Sequence, residues 1–188
     1  MENYAMNYKE GKRNFTVADI EALPEGERAE LIDGEMFMMA SPTMTHQRIS
    51  RKLMVSIDEY IRSKGGDCEV FAAPFSLFPD ESGRNYLEPD LAVLCHPDIM
   101  DNKGIHGGPD LVIEIVSPSS RFMDYLRKLN VYDRIGVREY WIVDPETQRV
   151  TVYGLEQQTV SQYDFSDDIP VGIYEDLTIS LRGITAIE

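Results

Sequence analysis

A short apolar run at residues 111–116, Leu-Val-Ile-Glu-Ile-Val, lies between Gly-Pro-Asp and Ser-Pro-Ser. This pattern, rich in β-branched residues, predicts a strand that is buried on both faces of a sheet covered by helices. Glu114 is the one charged residue in the run. Since a buried carboxylate is costly unless it is paired, hydrogen-bonded or bound to a metal, we expect Glu114 to have a partner.

Apolar residues at helical spacing predict two longer helices. The first covers residues 45–63, with His46 in its first turn, and its buried stripe consists of Ile49, Leu53, Ile57 and Tyr60. The second covers residues 122–135, and its buried stripe consists of Phe122, Tyr125, Leu126, Leu129 and Tyr132. Asp124 and Lys128 are four residues apart on one flank of the second stripe. A short helix is also expected at residues 17–22, with Thr16 as its N-cap.

The remaining apolar segments predict strands and one tight hairpin. Residues 28–32 and 35–40 flank Asp33-Gly34, which is typical of a type I′ turn. Further strands are expected at residues 68–78, interrupted by Pro74, and at residues 91–95, 139–143, 149–153 and 177–181. Residues 96–108 and the acidic segment 163–168 are expected to be loops. The order helix, three strands, helix, strand indicates one α/β domain with a mixed sheet over residues 14–188, after a flexible segment at residues 1–13.

Composition narrows the class of protein. The net charge of −15 argues against binding of nucleic acid mainly through bulk electrostatics, but it leaves room for a local site in which bound cations offset carboxylates. No apolar run is long enough to span a membrane, so we expect no membrane association. Cys68 and Cys95 lie in or beside apolar runs and are expected to be reduced core residues of a cytoplasmic protein.

A pair of carboxylates on neighbouring strands is the candidate for chemistry. Asp90 opens the strand before the apolar run, and alternation places it on one face with Ala92 and Leu94. If Asp90 and Glu114 reach the same side of the sheet, they form a site for a hard cation such as Mg²⁺, with the main-chain carbonyl of Ile115 as a further ligand. A metal there would orient water, lower its pKa and stabilise charge on a scissile phosphate.

Pro89-Asp90 followed by Glu114 resembles the PD-(D/E)xK nuclease superfamily, although the lysine expected two residues after Glu114 is replaced by Val116. The whole pattern more closely resembles the bacterial Uma-type endonucleases, over roughly residues 15–183. The matching pieces are Glu30-Leu-Ile-Asp-Gly-Glu35, Ser41-Pro42 with His46, Pro89-Asp90, Pro109-Asp110 through Glu114 to Ser117-Pro118-Ser119, Lys128, Tyr132, and residues 136–145. In that family the lysine is commonly carried by the following helix, which here points to Lys128.

The resemblance implies a restriction endonuclease-like α-β-β-β-α-β core with an added N-terminal hairpin and C-terminal strands. It also implies a nuclease that acts on DNA and depends on Mg²⁺, with Mn²⁺ as an alternative. Asp90 and Glu114 would be metal ligands and Lys128 the catalytic lysine. Glu30 and His46 would be further candidates for orienting water, metal or substrate.

Each of these residues also has an alternative interpretation. Asp90, which follows a proline, could simply be a turn residue. Glu114 could form a salt bridge with Lys128 without any metal. Lys128 is also compatible with a solvated helix residue that pairs with Asp124. Glu30 is compatible with a structural residue solvated near the hairpin, and His46 with a partly buried histidine satisfied by a neighbour.

The same patterns leave three hypotheses about function. The first is the Mg²⁺-dependent nuclease, the second a nuclease-fold binding or assembly protein whose site is unused, and the third a hydrolase of another phosphorylated substrate. The net charge of −15 and the absence of a basic stripe favour the second. A homodimer is compatible with the apolar surface expected at residues 35–40 and on the C-terminal strands.

Overall fold

The structure is a computed structural model that describes residues 14–117 and 123–185 of the 188-residue chain. The predicted flexible segment 1–13 and the predicted stripe residue Phe122 lie outside the described residues. The helices are α1 (Val17–Glu21), α2 (Met44–Lys64), a 3₁₀ turn (Pro97–Ile99), a π-helical segment (Met123–Lys128) and α3 (Leu129–Arg134). No helix in these ranges is long and apolar enough to cross a membrane.

Thirteen strands are present in the described ranges. They are β1 (Ala29–Ile32), β2 (Glu35–Met38), β3 (Glu69–Ala72), β4 (Leu77–Phe78), β5 (Leu91–Leu94), β6 (Met100–Asp101), β7 (Gly104–His106), β8 (Leu111–Ile115), β9 (Glu139–Asp144), β10 (Arg149–Gly154), β11 (Thr159–Asp164), β12 (Ile169–Pro170) and β13 (Thr178–Ile179). Six of them form the central sheet in the order β11-β10-β9-β8-β5-β3.

The central sheet is mixed, as the sequence predicts. β8 and β9 are parallel, while the other neighbouring pairs are antiparallel. The predicted order of helix, three strands, helix and strand corresponds to α2, β3, β5, β8, α3 and β9, and the predicted fold class is confirmed. β1 and β2 form the predicted hairpin, in which Asp33 and Gly34 have positive φ angles of 51° and 82°, as a type I′ turn requires.

The two faces of the sheet pack against different elements. On one face, Leu111, Ile113 and Ile115 of β8 join a cluster that contains the buried stripe of α2 and the short β12–β13 pair. On the other face, Val112 and Val116 pack with Val131 and Tyr132 of α3. Glu114 shares this second face with Val112 and Val116, because side chains alternate along a strand.

The second long helix differs from its prediction. Residues 123–128 are π-helical. A π-helix has hydrogen bonds between residues five apart, so its side chains are spaced differently around the axis and different ones face the sheet. Asp124 and Lys128 are buried, whereas Leu126, which was expected in the buried stripe, has 52% of its surface exposed. The prediction for Leu126 is wrong because it assumed a uniform period of 3.6 residues.

One segment expected to be a loop contains strands, and one further strand was not expected, although residues 165–168 of the acidic segment form the expected loop. Residues 100–106 form the β6–β7 hairpin, and β7 also pairs with β4 in a small separate sheet. β11 occupies the edge of the central sheet beside β10, although its exposed, mixed sequence carries no burial pattern from which a strand could be recognised.

The expectation of two reduced cysteines is also contradicted, because Cys68 and Cys95 form a disulfide bond. β3 and β5 pair in antiparallel fashion with Glu69 opposite Leu94, so the next pair in the register is Cys68 and Cys95. Their Cα atoms are 4.1 Å apart. Nothing in the spacing of the two cysteines along the chain reveals this pairing, since it depends on the register of two strands.

Candidate active site

Asp90 and Glu114 lie opposite each other on neighbouring strands. Leu91 of β5 pairs with Ile113 of β8, and one step further along the same register Asp90 faces Glu114. Asp90 Oδ2 accepts a hydrogen bond of 2.7 Å from the main-chain amide of Ile115. This bond fixes the Asp90 carboxylate at the end of the strand beside Glu114, so Asp90 is held in place by more than its position in a turn.

Lys128 reaches back from the π-helical segment to the sheet. Its Nζ lies 3.0 Å from Glu114 Oε1, 2.9 Å from Glu30 Oε2 and 3.2 Å from Asp124 Oδ1. Lys128 is only 4% exposed, so the alternative of a solvated helix lysine is wrong, although its pairing with Asp124 is present. The salt bridge between Glu114 and Lys128 that the sequence left open is also present.

Glu30 belongs to this cluster and is not solvated by the hairpin. It lies on β1, is buried, and accepts a hydrogen bond of 3.1 Å from the main-chain amide of Glu88 through Oε1. Its other oxygen contacts Lys128. The N-terminal hairpin, which is an addition to the α-β-β-β-α-β core, thus supplies one of the charged groups of the site.

Burial and mutual charge shift the pKa values of these groups. Burial raises the pKa of Glu114 well above its ordinary value; Lys128 opposes this shift, while Asp124, Glu30 and Asp90 add to it. Burial likewise raises the pKa of Glu30, against the effect of Lys128. Burial alone would lower the pKa of Lys128, but Glu114, Glu30 and Asp124 outweigh it and raise that pKa well above its ordinary value. The ammonium form of Lys128 is therefore strongly favoured.

Tyr132 is a member of the site that the sequence analysis placed in an apolar stripe and among the pieces that match the family, but to which it gave no role. Its hydroxyl donates a hydrogen bond of 2.6 Å to Glu114 Oε1, the same oxygen that Lys128 contacts. Burial, followed by the charge of Glu114, raises the pKa of Tyr132 well above its ordinary value, so the hydroxyl remains a donor. Two signals were available in the sequence: its place in the family pattern, and its position four residues after Lys128, one helical turn further along.

His46 approaches the site from the start of α2. Its Nε2 lies 3.1 Å from Asp90 Oδ2, and both side chains are 16% exposed, so they form the more open rim of the site. The alternative interpretation of His46, a histidine paired with a neighbouring residue, is therefore present in the structure, and the neighbour is Asp90. Nδ1 of His46 is buried and has no hydrogen-bond partner among the described residues.

The chemistry of these donors suits a hard cation. In residues 14–117 and 123–185, no group of three or more His, Cys, Asp and Glu side chains is arranged as a metal cage. Mg²⁺ does not require one, since it commonly binds one or two carboxylates and completes its shell with water and phosphate oxygens. The site also contains four carboxyl groups, on Glu30, Asp90, Glu114 and Asp124, and carboxylate oxygens are the ligands that such a cation prefers.

The mixed sheet and the order of its elements define a nuclease-like α/β fold. Two adjacent strands of the sheet carry carboxylates of the site, and the next helix carries the lysine. The same fold is found in the crystal structure of a protein from Anabaena variabilis, described as "a putative nuclease belonging to DUF820". The two structures align with a TM-score of 0.73 and 23% sequence identity, over 91% of this chain and 97% of that one.

Residues 17–181 match the model of the Uma2 family, described as "Putative restriction endonuclease", and the chain belongs to this family. It is also similar to two proteins of Synechocystis sp. (strain PCC 6803), "Uncharacterized protein slr1290" and "Uncharacterized protein sll1609". The identities are 27% over 128 residues and 28% over 130 residues, each covering 68% of this chain. The matches span 66% and 72% of the lengths of those proteins.

Proposed function

We propose that this protein is a nuclease that hydrolyses phosphodiester bonds in DNA with the help of Mg²⁺, for which Mn²⁺ is an alternative. The observation that carries the proposal is the convergence of Glu114 from the central strand, Asp90 from its neighbour and Lys128 from the following helix. Three separate elements of the chain bring these charged groups together, although burying them is costly for folding. Such costs are common at sites of chemistry.

Asp90 and Glu114 are the residues that would hold the cation, with the carbonyl of Ile115 as a third donor. A bound Mg²⁺ would supply a water of lowered pKa and would stabilise negative charge on the phosphate. Lys128 and Tyr132 both contact Oε1 of Glu114, so they fix the orientation of this carboxylate. His46 fixes that of Asp90 at the rim.

The protonated state of Lys128 defines its role. Three carboxylates raise its pKa, so Lys128 acts as a positive charge and a hydrogen-bond donor, and not as a general base. An ammonium beside a phosphate stabilises the negative charge that develops during hydrolysis. Glu30 and Asp124 hold Lys128 in place at 2.9 and 3.2 Å.

A cleavage assay tests this proposal. Labelled DNA is incubated with the full chain and Mg²⁺ or Mn²⁺, and the wild type is compared with Glu114→Gln and with Glu69→Gln as a matched control. Glu69 is an exposed acid on the edge strand β3, so its variant removes the same charge away from the site. We expect cleavage to fall about 100-fold or more in Glu114→Gln and to be unchanged in Glu69→Gln.

Calorimetry provides an independent measurement, because binding of Mg²⁺ should weaken in Asp90→Asn and Glu114→Gln but not in Glu69→Gln. Cleavage that persists equally in Glu114→Gln would contradict the assigned mechanism.

A second function, a nuclease-fold binding or assembly protein, is favoured by one observation. Lys128 and Glu114 are both only 4% exposed and already contact each other, so a substrate can reach them only if the site opens. This function predicts that the protein binds DNA in EDTA and leaves it uncut after Mg²⁺ or Mn²⁺ is added.

A further inference from the structure

The charge of the chain is unevenly distributed around α2. Asp and Glu make up 33 of the 188 residues, yet residues 36–57, a stretch of 22 residues, contain neither. The same stretch contains three cations, Arg48, Arg51 and Lys52. A strongly acidic protein thus carries one locally basic segment, and this segment includes the first half of α2.

The three cations lie on the outer face of α2, and we refer to them together as the α2 cationic face. The inner face is formed by Ile49, Leu53, Ile57 and Ile61, which are buried against the sheet. At about 100° per residue, the cations point away from this stripe, and all three are exposed. None of them forms an ion pair with any residue in the described ranges. Their charge is therefore available to a partner.

The α2 cationic face begins at the end of α2 that reaches the candidate active site, on the outward side of the helix away from His46. His46, in the first turn of α2, contacts Asp90, and the three cations follow two to six residues later. At 1.5 Å per residue this places them about 3–9 Å further along the helix axis. The positive end of the dipole of this 21-residue helix lies at the same end.

We propose that the α2 cationic face binds the phosphate backbone of the nucleic acid whose scissile phosphate enters the site, an inference that rests on the proposed function. A local patch is sufficient despite the net charge of −15, because charges more than about 8 Å apart are largely screened at physiological ionic strength. Cations without ion-pair partners also bind phosphate at a lower cost, since no existing salt bridge has to be broken.

An anionic membrane is the competing partner for a basic helix. Met44, Met54 and Val55, which are 74%, 37% and 45% exposed, also lie on α2. Met44 is 10 and 11 residues before the other two, about 15–16 Å along the axis, and the three cations lie between them. A helix that inserts into a membrane surface needs a continuous apolar face, and the continuous apolar face of α2 is already buried against the sheet. The arrangement therefore favours nucleic acid.

The test measures the salt dependence of DNA binding. The full chain is titrated into a short fluorescent DNA duplex in EDTA, which prevents metal-dependent cleavage, over a series of KCl concentrations. Each phosphate contact contributes about 0.9 to the slope of log affinity against log salt concentration. In Arg48→Gln/Lys52→Gln we expect the slope to fall by about 2 and the affinity at low salt to fall about tenfold or more.

The matched control is Arg62→Gln/Lys64→Gln, which changes the net charge equally on the last turn of the same helix. Its slope should match that of the wild type. Equal slopes for the two double variants would overturn the inference, as would binding to phosphatidylserine vesicles without binding to DNA.

If the slopes are equal but the wild type still cuts DNA, the proposed function stands and only the docking face fails. If the slopes differ as expected but no cleavage occurs, the docking face stands and the proposed hydrolysis fails.

Discussion

Lys128 connects three carboxylates that come from three different parts of the chain. Glu30 lies on the N-terminal hairpin, Glu114 on the central strand, and Asp124 on the same π-helical segment as Lys128. Because all four groups are buried, the ammonium is needed for folding as well as for the proposed chemistry. This double role makes its removal costly, and it explains why Lys128 alone cannot separate catalysis from stability.

Replacement of Lys128 by methionine should lower the free energy of unfolding by about 3–5 kcal/mol, because it leaves buried carboxylates without a counter-charge. Urea denaturation followed by circular dichroism measures this change. Lys103→Met is the control, since Lys103 is exposed in the turn between β6 and β7 and its replacement should cost no more than about 0.5 kcal/mol. Similar midpoints for the two variants would argue against the buried cluster.

Glu114 should also make stability depend on pH. Burial raises its pKa in the folded state, so the folded protein retains this proton to a higher pH than the unfolded chain does. The resulting stabilisation is complete below the ordinary glutamate pKa and is lost as the pH rises through the raised folded-state pKa. Glu114→Gln cannot titrate at this position, so its stability should decline less than that of the wild type as the pH rises above the ordinary glutamate pKa of about 4.3.

Denaturation in EDTA at several pH values measures the difference in decline between wild type and Glu114→Gln. Glu69→Gln, which removes an exposed acid, should follow the wild-type curve. A parallel decline in Glu114→Gln would show that the Glu114 carboxylate does not retain its proton in the folded state.

At the scale of elements, the π-helical segment decides what the second helix presents to the sheet. A regular helix could place Tyr125, Leu126 and Leu129 on one buried stripe, as the sequence pattern suggests. The π-helical geometry instead turns Leu126 outward and allows Asp124 and Lys128 to enter the core. Local departures of this kind are frequent at functional sites.

Two leucine-to-alanine variants test this geometry. Leu126 is 52% exposed, so Leu126→Ala should change the free energy of unfolding by no more than about 0.5 kcal/mol. Leu129 packs against the buried cluster that includes Tyr132, so Leu129→Ala should cost about 1–3 kcal/mol. Urea denaturation gives both values. A larger loss of unfolding free energy in Leu126→Ala than in Leu129→Ala would contradict the π-helical segment and support a regular helix.

At the scale of the whole molecule, the central sheet separates two apolar clusters, and β3 closes one edge of that sheet. The disulfide bond between Cys68 and Cys95 joins β3 to β5 and links residues 27 apart in the sequence. A covalent link across the edge pair restricts the unfolded chain and so stabilises the folded domain.

Reduction of the disulfide bond should lower the free energy of unfolding by about 2–4 kcal/mol, as expected for a loop of this length. Urea denaturation with and without a reducing agent measures the loss in the wild type. The double variant Cys68→Ala/Cys95→Ala should be about as stable as the reduced wild type and should not respond to the reducing agent. If thiol labelling of the unreduced protein modifies both cysteines, the disulfide bond is absent.

The sequence by itself determined the elements whose signals are local. The apolar run around Glu114, the stripe of α2 and the Asp33-Gly34 turn depend on neighbouring residues. Each forms where its pattern predicts, except that Ile61 and not Tyr60 completes the buried stripe of α2. The ordered motifs also predicted the family and the fold class. The proposed roles of Asp90, Glu114, Ile115, Lys128, Glu30 and His46 stay predictions, as do the single domain at residues 14–188, Mg²⁺, DNA and a homodimer.

Only the tertiary structure decided which side chains meet. Glu30 and Glu114 are 84 residues apart in the sequence, and no local pattern indicates that both contact Lys128. The pairing of Cys68 with Cys95 required the register of β3 and β5, and the burial of Lys128 required the π-helical segment. The reason is physical: apolar periodicity reports which face of an element is buried, whereas the contacts of a buried charge depend on elements that are distant along the chain.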